Sequence, residues 1–249
     1  MDWGKDMMLS YLGTYFPRSY TEAFCIFSDY FKRNKAAYKN KYRLDIFDFG
    51  CGTGGEIVGM VLAAMEAMPS IKCFRIKGLD GNALSLRYLE KILANLSSRY
   101  EVEIDFYPVS LMIEDFYDMD VLEQVLGGEY DVIISFKSIC EFVSKQEFEG
   151  NNPYEYITKA FLPKLSRDGI LCLADITSFN DVAKEWLFNM LDVAARNYGV
   201  IVMNRNSGYN EVFYTSHSHK EGDKSKLAWR IIKKNQYEER LDDQRVGAG

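Results

Sequence analysis

Short apolar runs and longer amphipathic stretches alternate along most of the chain. "RLDIFDFG" (43–50) is a β-type run that ends at glycine, and "GGEIVGMVLAAMEAMP" (54–69) carries apolar residues at helical spacing until Pro69. The alternation then repeats. Strands are predicted at 73–80, 101–110, 130–136 and 170–177, and helices at 82–100, 120–128, 153–169 and 180–199. Residues 7–43 read as helical and aromatic, with Pro17 at a break or a first helical position. Residues 210–234 are two β runs around a polar turn, a hairpin, while "VIVMN" (200–204) is a short β run without a place. Five strand–helix units require parallel pairing with crossover helices. The fold class is therefore α/β: a doubly wound, mostly parallel seven-stranded sheet with helices on both faces and a C-terminal antiparallel hairpin. "QYEERLDDQRVGAG" (236–249) has no apolar face and reads as a disordered tail.

The 249 residues suffice for one large core, and a hydrophobic content of 47% with 27% charged residues is ordinary for a soluble globular protein. A net charge of −6 argues against indiscriminate nucleic-acid binding, because phosphate affinity comes from Lys and Arg. Basic residues do gather at 32–43 and 224–234, with aromatics between them, the pattern of an RNA-facing surface or of a solvated face. The five cysteines (Cys25, Cys51, Cys73, Cys140, Cys172) have no zinc or redox spacing and read as buried thiols in a reducing compartment. The two histidines, His217 and His219, are too few for a zinc site and read as part of a solvated hairpin, so no metal is expected. No leader and no membrane span are predicted, and the expected location is cytoplasmic.

The chemistry starts at "DFGCGTGGE" (48–56). Gly50, Gly52 and Gly55 match G-x-G-x-x-G, the dinucleotide pattern, in which a bare backbone approaches a ligand at a helix N-terminus. Asp48, Gly50, Gly52 and Gly54 also match D-x-G-x-G-x-G. With the order of elements over roughly 44–233, this resembles the first motif of class I S-adenosylmethionine-dependent methyltransferases. Asp48 weighs toward that family, since a carboxylate there suits a cationic ligand and sits badly beside a pyrophosphate. "GLDGN" places Asp80 at the tip of the second strand, where it can accept both ribose hydroxyls.

The resemblance implies S-adenosylmethionine as cofactor, held by Asp48, Gly50, Cys51, Gly52, Gly54, Asp80, Gly81 and Asn82, with Phe136 at the fourth strand's tip. The third strand ends Val109–Ser110–Leu111 in place of the family's usual acid, so Ser110 and Leu111 take the adenine position. Glu141, a turn past the fourth strand, is the candidate base, with a first-turn helix acid as the alternative. The strand-four tip "SFKS" lacks the [DNS]-P-P-[YFW] tetrad of amino-methylating enzymes that act on adenine, cytosine or glutamine. Cys140 has no Pro-Cys partner and reads as an inert thiol. The N-terminal helices of this fold cover the cofactor, which assigns Arg18 to the methionine carboxylate and Tyr11, Tyr15 and Tyr20, with Lys137, to the acceptor.

The expected organisation is a helical lid (1–43), a methyltransferase domain (44–235) and the tail. The expected activity is methyl transfer to a small-molecule acceptor, with RNA as the alternative partner. A non-catalytic binding protein of the same fold and an NAD(P)-dependent oxidoreductase remain open as further classes. Oligomeric state is not legible.

Overall fold

The computed structural model describes residues 5–113, 119–143, 152–198, 200–202, 211–217 and 219–234. A long helix, α1 (Lys5–Arg33), precedes five strands and the helices between them: β1 (Arg43–Phe49), α2 (Gly55–Ala67), β2 (Cys73–Asp80), α3 (Ala83–Tyr100), β3 (Glu103–Ser110), α4 (Met119–Leu126), β4 (Tyr130–Phe136), α5 (Ile139–Val143), α6 (Pro153–Phe161) and β5 (Leu165–Ile176). A two-stranded ribbon, β6 (Phe179–Asn180) and β7 (Glu185–Trp186), leads into α7 (Leu187–Asn197), and β8 (Ile201–Val202), β9 (Glu211–His217) and β10 (Lys220–Lys233) close the chain.

The sheet runs β3-β2-β1-β4-β5-β10-β8, with β9 paired to β10. β1 to β5 are parallel, and β10 is antiparallel to its three neighbours. This is the expected doubly wound, mostly parallel sheet of five parallel strands and a closing hairpin, and the short β8 brings its strands to eight. The short run "VIVMN" finds its place through β8, at the sheet's edge. β4 is buried over its whole length, which explains its unbroken apolar run, whereas edge strand β3 alternates. One core lies between the sheet and α1, α2 and α3, and the other lies beneath α6 and α7.

Three sequence expectations are corrected. Pro17 lies inside α1, which continues through it. The helix expected to reach Gly169 ends at Phe161, and β5 already begins at Leu165. Buried Asp131 explains the early start: it accepts Ser166 Oγ at 2.8 Å and the backbone N–H of Asp45 at 3.2 Å, drawing the polar segment 165–169 into the sheet with a register shift against β4. The helix expected from Asn180 starts only at Leu187. Asn180 Oδ1 instead accepts the N–H groups of Val182 and Ala183, at 3.0 and 2.8 Å, which closes the turn of the ribbon.

α1 lies hard against α2 because α2 is glycine-studded on that face. A Cβ at Gly55 would stand 2.5 Å from the Phe16 carbonyl oxygen, and one at Gly59 2.4 Å from that of Tyr20. The order in which the chain adds strands reverses between the parallel β1 and β4, the topological switch point where ligands of open α/β sheets bind. α1 is held across that edge.

Candidate functional site

Two adjoining cavities open at the carboxyl ends of β1, β2, β4 and β5. The larger, about 500 Å³, lies between α1 and the loop 50–56; the smaller, about 370 Å³, lies over the tip of β2. Tyr11, Gly50, Lys137, Ser138 and Glu141 line both, so the two form one cleft divided at those residues.

The glycine loop is shaped by its second-strand partner. Asp80 accepts the Gly52 N–H at 2.8 Å through one carboxylate oxygen and the Asn82 N–H at 2.7 Å through the other. Burial pushes the Asp80 carboxyl up, and those two hydrogen bonds oppose the rise. Asn82 caps α3 through Oδ1, which accepts from Leu84 and Ser85. Its Nδ2 is buried and has no partner among the described residues, and Asn82 lines the smaller cavity. Gly81 and Leu111 line it too, with Met112, Ile113 and Phe142 forming an apolar wall.

Asp48 is fully buried, and neither of its carboxylate oxygens has a hydrogen-bond partner among the described residues. Burial, with the charges of Glu56 and Asp80 beside it, drives its carboxyl well above the ordinary range. It lies off both cavity walls, as a floor beneath the loop. Glu56, in the first turn of α2, is on the wall of the larger cavity and is pushed up to about 8, chiefly by burial. Lys137, held at φ 57°, reaches buried Glu22 of α1 at 2.5 Å. Glu22 also accepts the Ser225 hydroxyl of β10.

Most of the expected site residues meet at this cleft: Tyr11, Tyr15, Gly50, Cys51, Phe136, Lys137 and Glu141 on the larger cavity, and Gly52, Asp80, Gly81, Asn82 and Leu111 on the smaller. Tyr11 stacks on Tyr15 at 4.7 Å, and burial raises its phenol. Four expectations are corrected. Arg18 does not face the cleft: its guanidinium is bound to buried Asp223 of β10. Tyr20 stacks on Phe24, and its backbone packs against α2. Gly54, at φ 74°, faces α3, where a Cβ would meet Leu89 Cδ1 at 2.3 Å, so it serves packing and not ligand approach. Ser110 is exposed at the end of β3 and lines neither cavity.

Of the two histidines, His219 is exposed, as a solvated hairpin implies, whereas the His217 side chain is buried. His217 Nε2 is 3.2 Å from Asp223, a contact within the hairpin, and His219 Nδ1 is 3.4 Å from the Thr14 hydroxyl, which touches α1. Cys140 is buried, and its thiol is raised by burial beside Asp175, as an inert thiol is. Asp175 itself accepts from Tyr154, Cys140 and Ile176, and so ties the tip of β5 to α5 and α6.

Sequence reading missed Glu56, Ser138 and the wall of Met112, Ile113 and Phe142. A glutamate at a helix start reads as a dipole-stabilised surface acid, and only tertiary packing buries it. Ser138 Oγ donates to the Gly50 carbonyl at 3.0 Å, joining the strand-four tip to the loop, a contact no local signal announces.

No family model and no curated protein matches the chain. Among solved structures it is similar to a precorrin-6Y C5,15-methyltransferase from Geobacter metallireducens (15% identity, TM-score 0.44, covering 82% of this chain and 87% of that one). It is likewise similar to an S-adenosylmethionine-dependent methyltransferase from Clostridium acetobutylicum (11%, 0.43, 86% and 92%) and to an rRNA methyltransferase from Streptomyces viridochromogenes (11%, 0.43, 82% and 82%). At such identities the likeness is one of fold. No helix among the described residues is long and apolar enough to cross a membrane.

Proposed function

We propose that this chain is an S-adenosylmethionine-dependent methyltransferase with a small-molecule acceptor. The observation that carries the reading is the divided cleft at the switch point, with room on either side of Tyr11, Ser138 and Glu141 for two ligands to meet. The residues fit the cofactor. Asp80 has lone pairs left for ribose hydroxyls, Asn82 on the wall of the smaller cavity has a buried Nδ2 without a partner among the described residues, and Leu111, Met112 and Ile113 offer an apolar slot for a base. Orphaned Asp48 beneath the loop favours a cation above it. When bound, the cofactor supplies a methyl group already activated by its sulfonium.

The chain's own work is alignment. Lys137, beside the loop, takes the part first assigned to Arg18, since it is the cation that lines both cavities. Glu141 stands where the two cavities join, beside the path of the methyl group, and orients the acceptor nucleophile. Residues 1–43 act as a lid on the domain 44–235, with α1 roofing the larger cavity. The tail 236–249 lies outside the described residues.

Calorimetry with adenosylhomocysteine and NAD tests the reading. Adenosylhomocysteine should bind with a Kd in the micromolar range or tighter, about −8 kcal/mol, and NAD should not bind. Asp80→Ala should weaken adenosylhomocysteine by about 1.5–3 kcal/mol, the scale of charged hydrogen bonds. Thermal stabilisation by NAD alone contradicts the proposal.

A further inference from the structure

The larger cavity has a character that methyl transfer in general does not call for. Glu56 is on its wall, is only 5% exposed, and among the described residues is hydrogen-bonded only by its own backbone N–H. The nearby cation, Lys137, is paired with Glu22 and so offsets the Glu56 carboxylate only in part: burial still dominates and holds its carboxyl up. Beneath lies Asp48, with both oxygens orphaned. Around the same space stand the rings of Tyr15, Phe16 and Phe136. Aromatic faces and a desolvated carboxylate together favour an organic cation over a neutral or anionic ligand.

We propose that the larger cavity binds a small amine in its ammonium form, received by the Glu56 carboxylate and flanked by Tyr15, Phe16 and Phe136, and that this amine is the methyl acceptor. The assignment as acceptor rests on the methyltransferase reading; the binding site does not. Burial, with Glu22 and Asp80, outweighs its own backbone N–H and Lys137 and keeps Glu56 protonated in the empty cavity over much of the neutral range, and an entering cation favours its ionised form. For transfer, the ammonium gives a proton to Glu56, which becomes the neutral acid. The freed nitrogen lone pair then forms the N–C bond while the S–C electrons return to sulfur. Sulfonium becomes thioether, and the positive charge ends on nitrogen.

The donor's own methionine end also carries an ammonium, and the experiment separates the two sources. Binding of phenylethylamine, phenylethanol and adenosylhomocysteine is measured by calorimetry on the full chain and on Glu56→Gln, at about pH 8.5, where the amine is still largely protonated. The wild-type chain should bind phenylethylamine at least about tenfold tighter than phenylethanol. In Glu56→Gln that preference should shrink to about twofold or less, with adenosylhomocysteine affinity held within about threefold. Equal affinity of the wild type for the two probes overturns the proposal, as does a preference that survives in Glu56→Gln. A loss of adenosylhomocysteine affinity as great as the loss of amine affinity assigns the carboxylate to the donor and also overturns it. If adenosylhomocysteine fails to bind the wild type, the methyltransferase reading falls, while the two small probes still judge the amine site. Should Glu56→Gln not fold, the wild-type comparison and Glu56→Asp, which keeps the charge and should keep the preference, decide.

Discussion

Gly52 and Gly54 are two residues apart in one loop and serve different ends. A Cβ at Gly52 would project toward the Tyr11 hydroxyl, 3.4 Å away, within the cleft, whereas one at Gly54 would strike Leu89 in the core. Gly52→Val should therefore lower adenosylhomocysteine affinity at least tenfold while costing about 1–2 kcal/mol of stability through its positive φ. Gly54→Val should cost more, about 2–4 kcal/mol, by adding an overpacked core to a similar strain. Denaturant midpoints and calorimetry on the two variants check the contrast; equal effects on binding would place the cofactor elsewhere. Glu56 makes a prediction of its own. Its carboxyl is raised from 4.5 to about 8. Its favourable contribution to stability is thus full below about 4.5 and is lost as pH rises through about 8. Binding of a cation runs the other way, because the ionised form receives it. Amine-probe affinity should climb by up to tenfold per pH unit toward about 8 and then level until the amine itself loses its proton. Glu56→Gln should flatten that climb.

At the scale of elements, α1 is the part most dependent on others. Its Gly-packed contact with α2 fixes one side. On the other, Arg18 and His217 converge on Asp223, Thr21 donates to Thr215 at 2.9 Å, and Glu22 bridges Lys137 and Ser225. The hairpin β9–β10 is thus the strap that keeps α1 over the cleft. Lys220 adds a second cation beside Arg18, and these partners hold the Asp223 carboxyl far below the usual range. Asp223→Asn should release the strap without touching the cavity walls. Hydrogen exchange in α1 should then speed up, and adenosylhomocysteine should bind more weakly, while exchange in β1 and β4 stays slow. Unchanged exchange in α1 would show that its contact with α2 suffices.

At the scale of the whole molecule, the distribution of charge bears on the acceptor. Arg43 opens β1, and the glycine loop follows its other end, seven residues or about 20 Å on. Lys41 is paired with Asp131, and Arg43 with Asp45. The first basic cluster therefore lies at the end of the sheet away from the cleft, partly neutralised. In the second cluster, Lys224 and Lys226 lie near the tip of β5, since Leu227 pairs with Ile176, while Lys233 lies toward the opposite end. Neutralising Lys39 and Arg43 together should leave adenosylhomocysteine affinity and methyl transfer unchanged. A salt-dependent gel shift with structured RNA that this double variant abolishes would overturn the small-acceptor reading.

Much of the architecture was legible in the chain. The apolar runs at 43–49, 73–80 and 130–136 are strands because their residues are buried on one or both faces, and burial of that kind is written into local pattern. The loop 50–55 was legible because positive φ and close approach leave few residue types open. Asp80 followed, since a carboxylate at a strand tip faces the ligand edge in any doubly wound sheet. Where reading failed, the deciding contact came from far along the chain. Arg18 looked like a ligand cation until Asp223, 205 residues later, was seen to hold it. The polar run at 165–169 looked like the end of a helix until Asp131 drew it into the sheet. Glu56 drew no notice because no local pattern records that α1 folds over it. Sequence periodicity reports how a residue's own element faces core or water. Only tertiary structure decides which distant charge meets it, and at this cleft those meetings set where cations are wanted.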